Sequence, residues 1–186
     1  METSTTNQLF SKDDLKKLII PLLFEQALAI TVGMADTVMI SSAGEAAVSG
    51  VSLIDMFNNL IISVLAALAT GGAVVTSQFL GAGKKEDACK SAKQLIVSSV
   101  CITIGISILV MVFCNGIISL FFGKIEADVF HNAVIYMMIS ALSFPFLALY
   151  NSCAALFRSM GNSKITLKVS VVENIINIGG NAPVSY

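Results

Sequence analysis

Two acidic residues, Glu25 and Asp36, stand within a long apolar segment near the start of the sequence. A carboxylate at the centre of a bilayer costs about 2.5–3.5 kcal/mol, so such groups usually face a protein interior or a water-filled cavity. Eleven helical steps of about 100° return to nearly the same face, so both acids share one stripe, about 16 Å apart along the axis. This spacing predicts a polar lumen lined by the first helix. A solvated position at a membrane surface is the alternative for each acid.

Further polar residues interrupt the later apolar segments. The second segment carries Asp55, the fourth carries Asn151, and the remaining polar residues of this kind are Asn58, Asn59, Glu173, Asn174 and Asn177. Asp55 is expected in the first turn of the second helix, where the helix dipole favours a negative charge. We therefore assign Asp55 a structural role. Asn151 and Asn177 are kept as candidate lining residues of the polar lumen.

Pro145 lies inside the fourth segment, in "SALSFPFLALYN". Proline removes one helical hydrogen bond and leaves a carbonyl without its usual partner. Membrane helices tolerate this where a neighbouring group or water satisfies the carbonyl. The sequence thus predicts a kink in the fourth helix. Whether that kink moves or is static stays open.

The elements that must position these residues follow from composition. Apolar residues make up 55% of the 186-residue chain and charged residues only 12%, and the mean hydropathy is +0.84. Soluble domains are about 25% charged, so these values indicate a membrane protein. Apolar segments of spanning length cover residues 15–40, 51–80, 95–122 and 133–157, and a fifth begins at 165. We predict an all-α polytopic membrane protein with four complete transmembrane helices, a partial fifth, and a short polar tail over residues 1–13.

The sequence offers little soluble chemistry. The four cysteines have no metal-ligand spacing and His131 is the only histidine, so no metal site of the Cys/His kind is expected. No phosphate-binding loop and no nucleophile elbow occur, and we therefore predict that the protein is not an enzyme. Without a nucleotide-binding motif, any transport by this protein would draw its energy from an ion gradient or from a partner.

Basic residues alternate strongly between the two sides of the predicted helices. One side has only Lys124, and the other has Lys12, Lys16, Lys17, Lys84, Lys85, Lys90, Lys93, Arg158, Lys164 and Lys168. The positive-inside rule then predicts a multi-pass protein of the cell membrane with a cytoplasmic N-terminus. Because the basic loops alternate with membrane spans, a nucleic-acid partner is not expected.

Three stretches resemble a known family. They are "MADTVMISSAGEAAVSGVSL", "TSQFLGAGKKEDACKSAKQ" and "LFRSMGNSKITLKVSVVENIINI", and they fall in order on successive predicted helices and loops. Their order and spacing are similar to the N-terminal lobe of the multidrug and toxic compound extrusion (MATE) transporters. The likeness extends over about residues 15–178.

The resemblance implies an antiporter that uses H⁺ or Na⁺ to export organic cations by alternating access between two six-helix lobes. It assigns the coupling cation to Asp36, with Asn177 nearby, and Na⁺ at Asp36 is the only metal ion it implies. Glu25, Asn151 and Asn181 complete the candidate site. Some members carry an acid at the position of Asn181, so a two-acid site is not expected here. No cofactor beyond the coupling ion is implied, and the partners are the lipid bilayer and the substrate.

The sequence also departs from the family. It stops within the fifth helix, and "GGNAPVSY" contains Gly179, Gly180 and Pro183, which disfavour a helix interior. We therefore expect a truncated product or a fragment that needs a C-terminal lobe for transport. Two alternatives stay open: a flippase of lipid-linked oligosaccharides with the same helical design, and a membrane fragment that does not transport.

Overall fold

The computed structural model describes residues 12–41 and 44–181. They form five α-helices: α1 Lys12–Ser41, α2 Glu45–Gly81, α3 Lys85–Phe122, α4 Ala127–Ser159 and α5 Ser163–Asn181. The first four are long and apolar enough to cross a membrane, and α5 has 19 residues. The all-α polytopic prediction, with four complete helices and a shorter fifth, is confirmed.

Three helices begin earlier than the apolar segments that predicted them. α2 begins at Glu45, α3 at Lys85 and α4 at Ala127, whereas the apolar segments begin at 51, 95 and 133. Each added first turn contains an acid, which the helix dipole favours, so the helices extend past the apolar runs. Asp55 is consequently the eleventh residue of α2, and the prediction of a first-turn position for it is wrong.

The two ends of the chain also differ from expectation. Gly179 and Gly180 lie within α5, which continues to Asn181, so the expectation that the paired glycines would leave the helix is wrong. Their unfavourable propensity, about 1 kcal/mol each, is a weak preference that neighbouring turns override. Pro183 lies outside the described residues. Of the tail predicted over residues 1–13, Lys12 and Asp13 already belong to α1, and residues 1–11 lie outside the described part.

Glycines close α2 and α4 in the same way. Gly161, with φ +80°, follows α4, and its N–H donates to the Arg158 carbonyl over 3.0 Å. At the end of α2 the equivalent residue is Gly83, with φ +75°. A residue in this left-handed conformation is the usual way to satisfy the last carbonyls of a helix. Gly81 is still the last residue of α2, so the glycine that ends this helix is Gly83, two residues later.

The helices pack as a three-helix core and a lateral pair. α2, α3 and α4 pack against one another, while α1 packs mainly on α5. The core between α2, α3 and α4 is centred on Ile54, Ile118, Met137 and Phe144, which are almost fully buried. Since α4 contacts both α2 and α5, it separates two polar regions of the structure, one towards α1 and α5 and one towards α2.

Candidate functional site

One helical stripe of α1 lines a cavity of about 350 Å³. The residues of this stripe are Glu25, Gln26, Ala29, Val32, Gly33 and Asp36, and their spacing of three and four residues is that of a single helix face. Glu25 and Asp36 therefore line one cavity, as the eleven-residue spacing predicted. We call it the α1–α5 cavity.

The opposite wall comes from α5 and α4. It consists of Ser170, Glu173, Asn174 and Asn177 from α5 and Tyr150 from α4. The cavity lining thus contains three carboxylates, those of Glu25, Asp36 and Glu173, and neither lysine nor arginine lies among these residues. Arg158 lies outside this lining but pairs with Glu25, so Asp36 and Glu173 give the cavity its attraction for cations.

Glu25 is buried at the N-terminal end of the stripe, with 8% of its surface exposed. Its Oε1 accepts hydrogen bonds from the Tyr150 hydroxyl over 3.5 Å and from Arg158 over 3.4 Å. Its Oε2 is buried without a hydrogen-bond partner in the described structure. The alternative of a solvated surface position for Glu25 therefore does not hold. Arg158 follows the fourth predicted segment, which ended at residue 157, but in the structure it lies in the last turn of α4.

The other predicted site residues are placed as follows. Asp36 and Asn177 are half-buried and line the α1–α5 cavity together. Asn151 is half-buried on α4 but is absent from the lining of this cavity. Asn181 is the last residue of α5, and its side chain lies outside the described part of the structure. The roles of these residues stay predictions.

Pro145 lies within α4, which remains helical on both sides of it. The carbonyl that proline leaves without a helical donor is that of Ala141, four residues earlier. Ser107 Oγ on α3 donates a hydrogen bond of 2.6 Å to this carbonyl. A neighbouring helix thus satisfies the group, which is one of the two ways the sequence analysis allowed.

A second polar cavity, of about 340 Å³, lies between α2 and α4. Its polar lining is Asp55, Asn58, Asn59, Tyr136, Ser140 and Ser143. The Tyr136 hydroxyl donates to Asp55 Oδ1 over 2.9 Å, and Asn58 Nδ2 donates to Ser140 Oγ over 3.0 Å. The sequence analysis missed this α2–α4 cavity, although Asp55, Asn58 and Asn59 at i, i+3 and i+4 already mark one polar helix face.

Comparisons with known proteins identify relatives that are transporters. The chain is 32% identical over 166 residues to the uncharacterized transporter YisQ of Bacillus subtilis, covering 89% of this chain and 36% of that protein. It is 25% identical over 172 residues to the probable multidrug resistance protein NorM of Thermotoga maritima, covering 90% of this chain and 36% of that protein. The chain therefore spans about a third of the length of these curated relatives.

A solved structure has the same fold. It is a MOP superfamily transporter from Pyrococcus furiosus, with a TM-score of 0.82 and 20% identity, and the match covers 90% of this chain and 37% of that one. The MatE family matches residues 21–182, which is most of the sequence. The chain with its acidic α1–α5 cavity belongs to the MatE family of transporters.

Proposed function

We propose that the chain is the ion-coupling lobe of an antiporter that uses H⁺ or Na⁺ to export organic cations. The observation that carries this proposal is the α1–α5 cavity, in which Glu25, Asp36 and Glu173 line one space without a basic residue among the lining side chains. Carboxylates within membrane helices are costly, and those that occur mark ion and substrate pathways.

Asp36 is the residue proposed to exchange the coupling cation. Asn177 and Asn174 bring amide groups to the same cavity, and oxygen ligands of this kind suit hard cations such as Na⁺. Coupling requires that the cation and the substrate favour different states of the protein, so that binding of one weakens binding of the other. The carboxylates of the α1–α5 cavity give it an electrostatic preference for the coupling cation.

The kinds of protein that the chain resembles support this proposal. One of them is named a probable multidrug resistance protein, which fits export of organic compounds. The basic residues on one side of the helices support a location in the cell membrane with a cytoplasmic N-terminus. Because the chain spans about 36% of its curated relatives, transport itself is proposed for a protein that contains this lobe and a second one.

The polarity of the cavity argues against the flippase alternative. A lipid-linked oligosaccharide carries anionic phosphate, which would bind best beside lysine or arginine side chains. The binding pocket of the Pyrococcus furiosus transporter has a reverse polarity, which suggests a different function for that protein. In this chain the described linings of the α1–α5 and α2–α4 cavities both contain carboxylates and neither lysine nor arginine, and this favours a cationic substrate.

Transport by a two-lobed protein tests the proposal. The chain is fused in frame to all of the Bacillus subtilis relative that follows the matched region. Inverted vesicles with an imposed H⁺ or Na⁺ gradient are then assayed for uptake of dansylcadaverine, a fluorescent primary ammonium. Asp36→Asn should abolish gradient-driven uptake. Glu45→Gln removes an exposed acid at the start of α2 and should leave uptake unchanged. Full uptake by the Asp36→Asn fusion at equal expression would overturn the proposal.

A second measurement uses the chain alone, in lipid nanodiscs. Na⁺ or H⁺ should weaken the binding of dansylcadaverine, because the coupling ion and the substrate are linked. Asp36→Asn should remove this dependence while the protein stays folded. If the Asp36→Asn chain retains the full dependence on both ions, Asp36 is not the coupling site.

A further inference from the structure

The α2–α4 cavity has a polar end and an apolar end. Asp55, Asn58, Tyr136 and Ser140 form the polar end, where two side-chain hydrogen bonds join α2 to α4. The apolar end is formed by Ile62, Phe144 and Leu147. Binding sites for small molecules commonly combine an apolar wall with a few converging polar groups in a volume of about 300–1,000 Å³. The cavity volume of about 340 Å³ lies in that range.

Asn58 supplies the observation that points to a ligand. Only 9% of its surface is exposed, and its Nδ2 is engaged by Ser140. Its Oδ1 is buried and has no hydrogen-bond partner in the described structure. A buried acceptor without a donor destabilises the folded protein. An oxygen left in this state beside a cavity is therefore a place where a bound group can supply the missing donor.

The chemistry of the polar end selects the type of donor. Asp55 contributes a negative charge, and Asn58 contributes an unsatisfied oxygen on the same helix face. A primary or secondary ammonium satisfies both, because it carries a positive charge and more than one N–H. The wall of Ile62, Phe144 and Leu147 suits the carbon skeleton that accompanies an organic ammonium, whereas a bare ion would gain nothing from it.

A third cavity, an open groove, lies beside both polar cavities. It measures about 440 Å³ and is mostly apolar. It shares Ser143 and Leu147 with the α2–α4 cavity, and Tyr150 and Glu173 with the α1–α5 cavity. The three cavities therefore neighbour one another along α4, with carboxylates in the two polar ones and a mostly apolar groove between them.

We propose that the α2–α4 cavity is the binding site for the ammonium group of the organic substrate, held by Asp55 and Asn58. The apolar body of the substrate lies along the wall of Phe144 and Leu147, on the side of the third cavity. This inference rests on the proposed function, because it assigns substrate and coupling ion to separate acidic sites of the same lobe. Asp36 and Glu25 are then left to the coupling ion.

Binding of dansylcadaverine to the chain in nanodiscs tests the proposal, with empty nanodiscs as background and N-acetyl-dansylcadaverine as the uncharged analogue. Asp55→Asn should raise the Kd at least tenfold, equivalent to about 1.4 kcal/mol. Glu45→Gln, which removes an exposed acid that lines neither cavity, should change the Kd less than threefold. The acetylated analogue should bind at least tenfold more weakly than the ammonium.

Asn58→Leu separates a binding role from a structural one. It removes the unsatisfied oxygen but also the hydrogen bond to Ser140. These two effects on stability oppose each other, so the thermal midpoint should change little, whereas the Kd should rise at least fivefold. Loss of binding together with a lower midpoint in both variants would assign Asn58 and Asp55 a purely structural role and overturn the proposal. Equal binding of the acetylated analogue would also overturn the proposal, because it would show that the probe binds through its apolar part and not through its ammonium group.

The outcomes distinguish this inference from the proposed function. If Asp55→Asn weakens binding but Na⁺ and H⁺ have no effect through Asp36, the substrate site stands and the antiport assignment fails. If Asp55→Asn binds normally while the ion dependence requires Asp36, the antiport assignment stands and this inference fails. If Na⁺ displaces the probe in the Asp36→Asn chain as in the unmodified one, the α2–α4 cavity holds the ion instead, which also overturns the inference.

Discussion

Ser107 on α3 donates a 2.6 Å hydrogen bond to the main-chain carbonyl of Ala141 on α4, the carbonyl whose helical donor Pro145 removes. Both partners are buried. The bond therefore satisfies a group that lipid could not satisfy, and it links two helices of the core at the point where α4 lacks one of its own hydrogen bonds. The proline and the serine form one structural unit, although they are 38 positions apart in the sequence.

Replacement of this serine should destabilise the protein. Ser107→Ala leaves the Ala141 carbonyl buried and unsatisfied, which costs about 1–3 kcal/mol. We expect a loss of this size in unfolding by SDS in mixed micelles. In the Pro145→Ala background, the new N–H of residue 145 can bond to Ala141, so the same serine replacement should cost less than half as much. Equal costs in the two backgrounds would show that the Ser107 bond does not depend on the proline.

Close packing of α2 on α4 depends on a glycine. A Cβ at Gly50 would lie 3.0 Å from both the Ala133 nitrogen and the Val129 oxygen, and these main-chain atoms cannot move aside easily. Overpacking of this kind costs about 1–3 kcal/mol, which outweighs the gain in helix propensity of about 1 kcal/mol. Gly50→Ala should therefore lower the stability in SDS unfolding. Gly71→Ala is the matched control in the same helix, because nothing lies within 4 Å of its Cβ position, and it should be neutral or stabilising.

The sequence contained the local features of this structure. Long apolar segments predicted the helices, and the eleven-residue spacing of Glu25 and Asp36 predicted their common stripe, because both are consequences of helical periodicity. Helix ends were less predictable, since polar first turns such as that at Glu45 continue the helix beyond the apolar run. Gly179 and Gly180 are a second example of a helix end that is hard to predict. They remain helical, because the low helix propensity of glycine is a weak effect compared with the helical turns on either side.

Contacts between distant segments could not be predicted. Arg158 reaches Glu25 across 133 positions, and Tyr136 reaches Asp55 across 81. Helical periodicity places a residue on a face but does not say which helix that face meets. The α2–α4 cavity was missed for this reason, since its polar residues come from helices that are adjacent in space but not in sequence.

The ion pair between Glu25 and Arg158 should respond asymmetrically to replacement. The glutamate side chain is 10% exposed and the arginine side chain 33%. Arg158→Gln leaves a buried carboxylate without its charge partner, whereas Glu25→Gln leaves an arginine that water can still reach. We expect Arg158→Gln to cost about 1–3 kcal/mol in SDS unfolding and Glu25→Gln distinctly less. The double variant should recover part of the loss; equal losses in the two single variants would contradict this account.

The proposed orientation in the membrane can be measured with cysteine labelling. Cys89 is exposed near the start of α3, on the side that carries ten of the eleven basic residues. A membrane-impermeant maleimide should therefore label it in inverted vesicles but not in intact cells. Lys124→Cys, placed in the opposite loop of a Cys89→Ser chain, should show the reverse pattern. The remaining cysteines lie in apolar segments, which a membrane-impermeant reagent does not reach. Labelling of Cys89 in intact cells would reverse the topology and place the N-terminus outside.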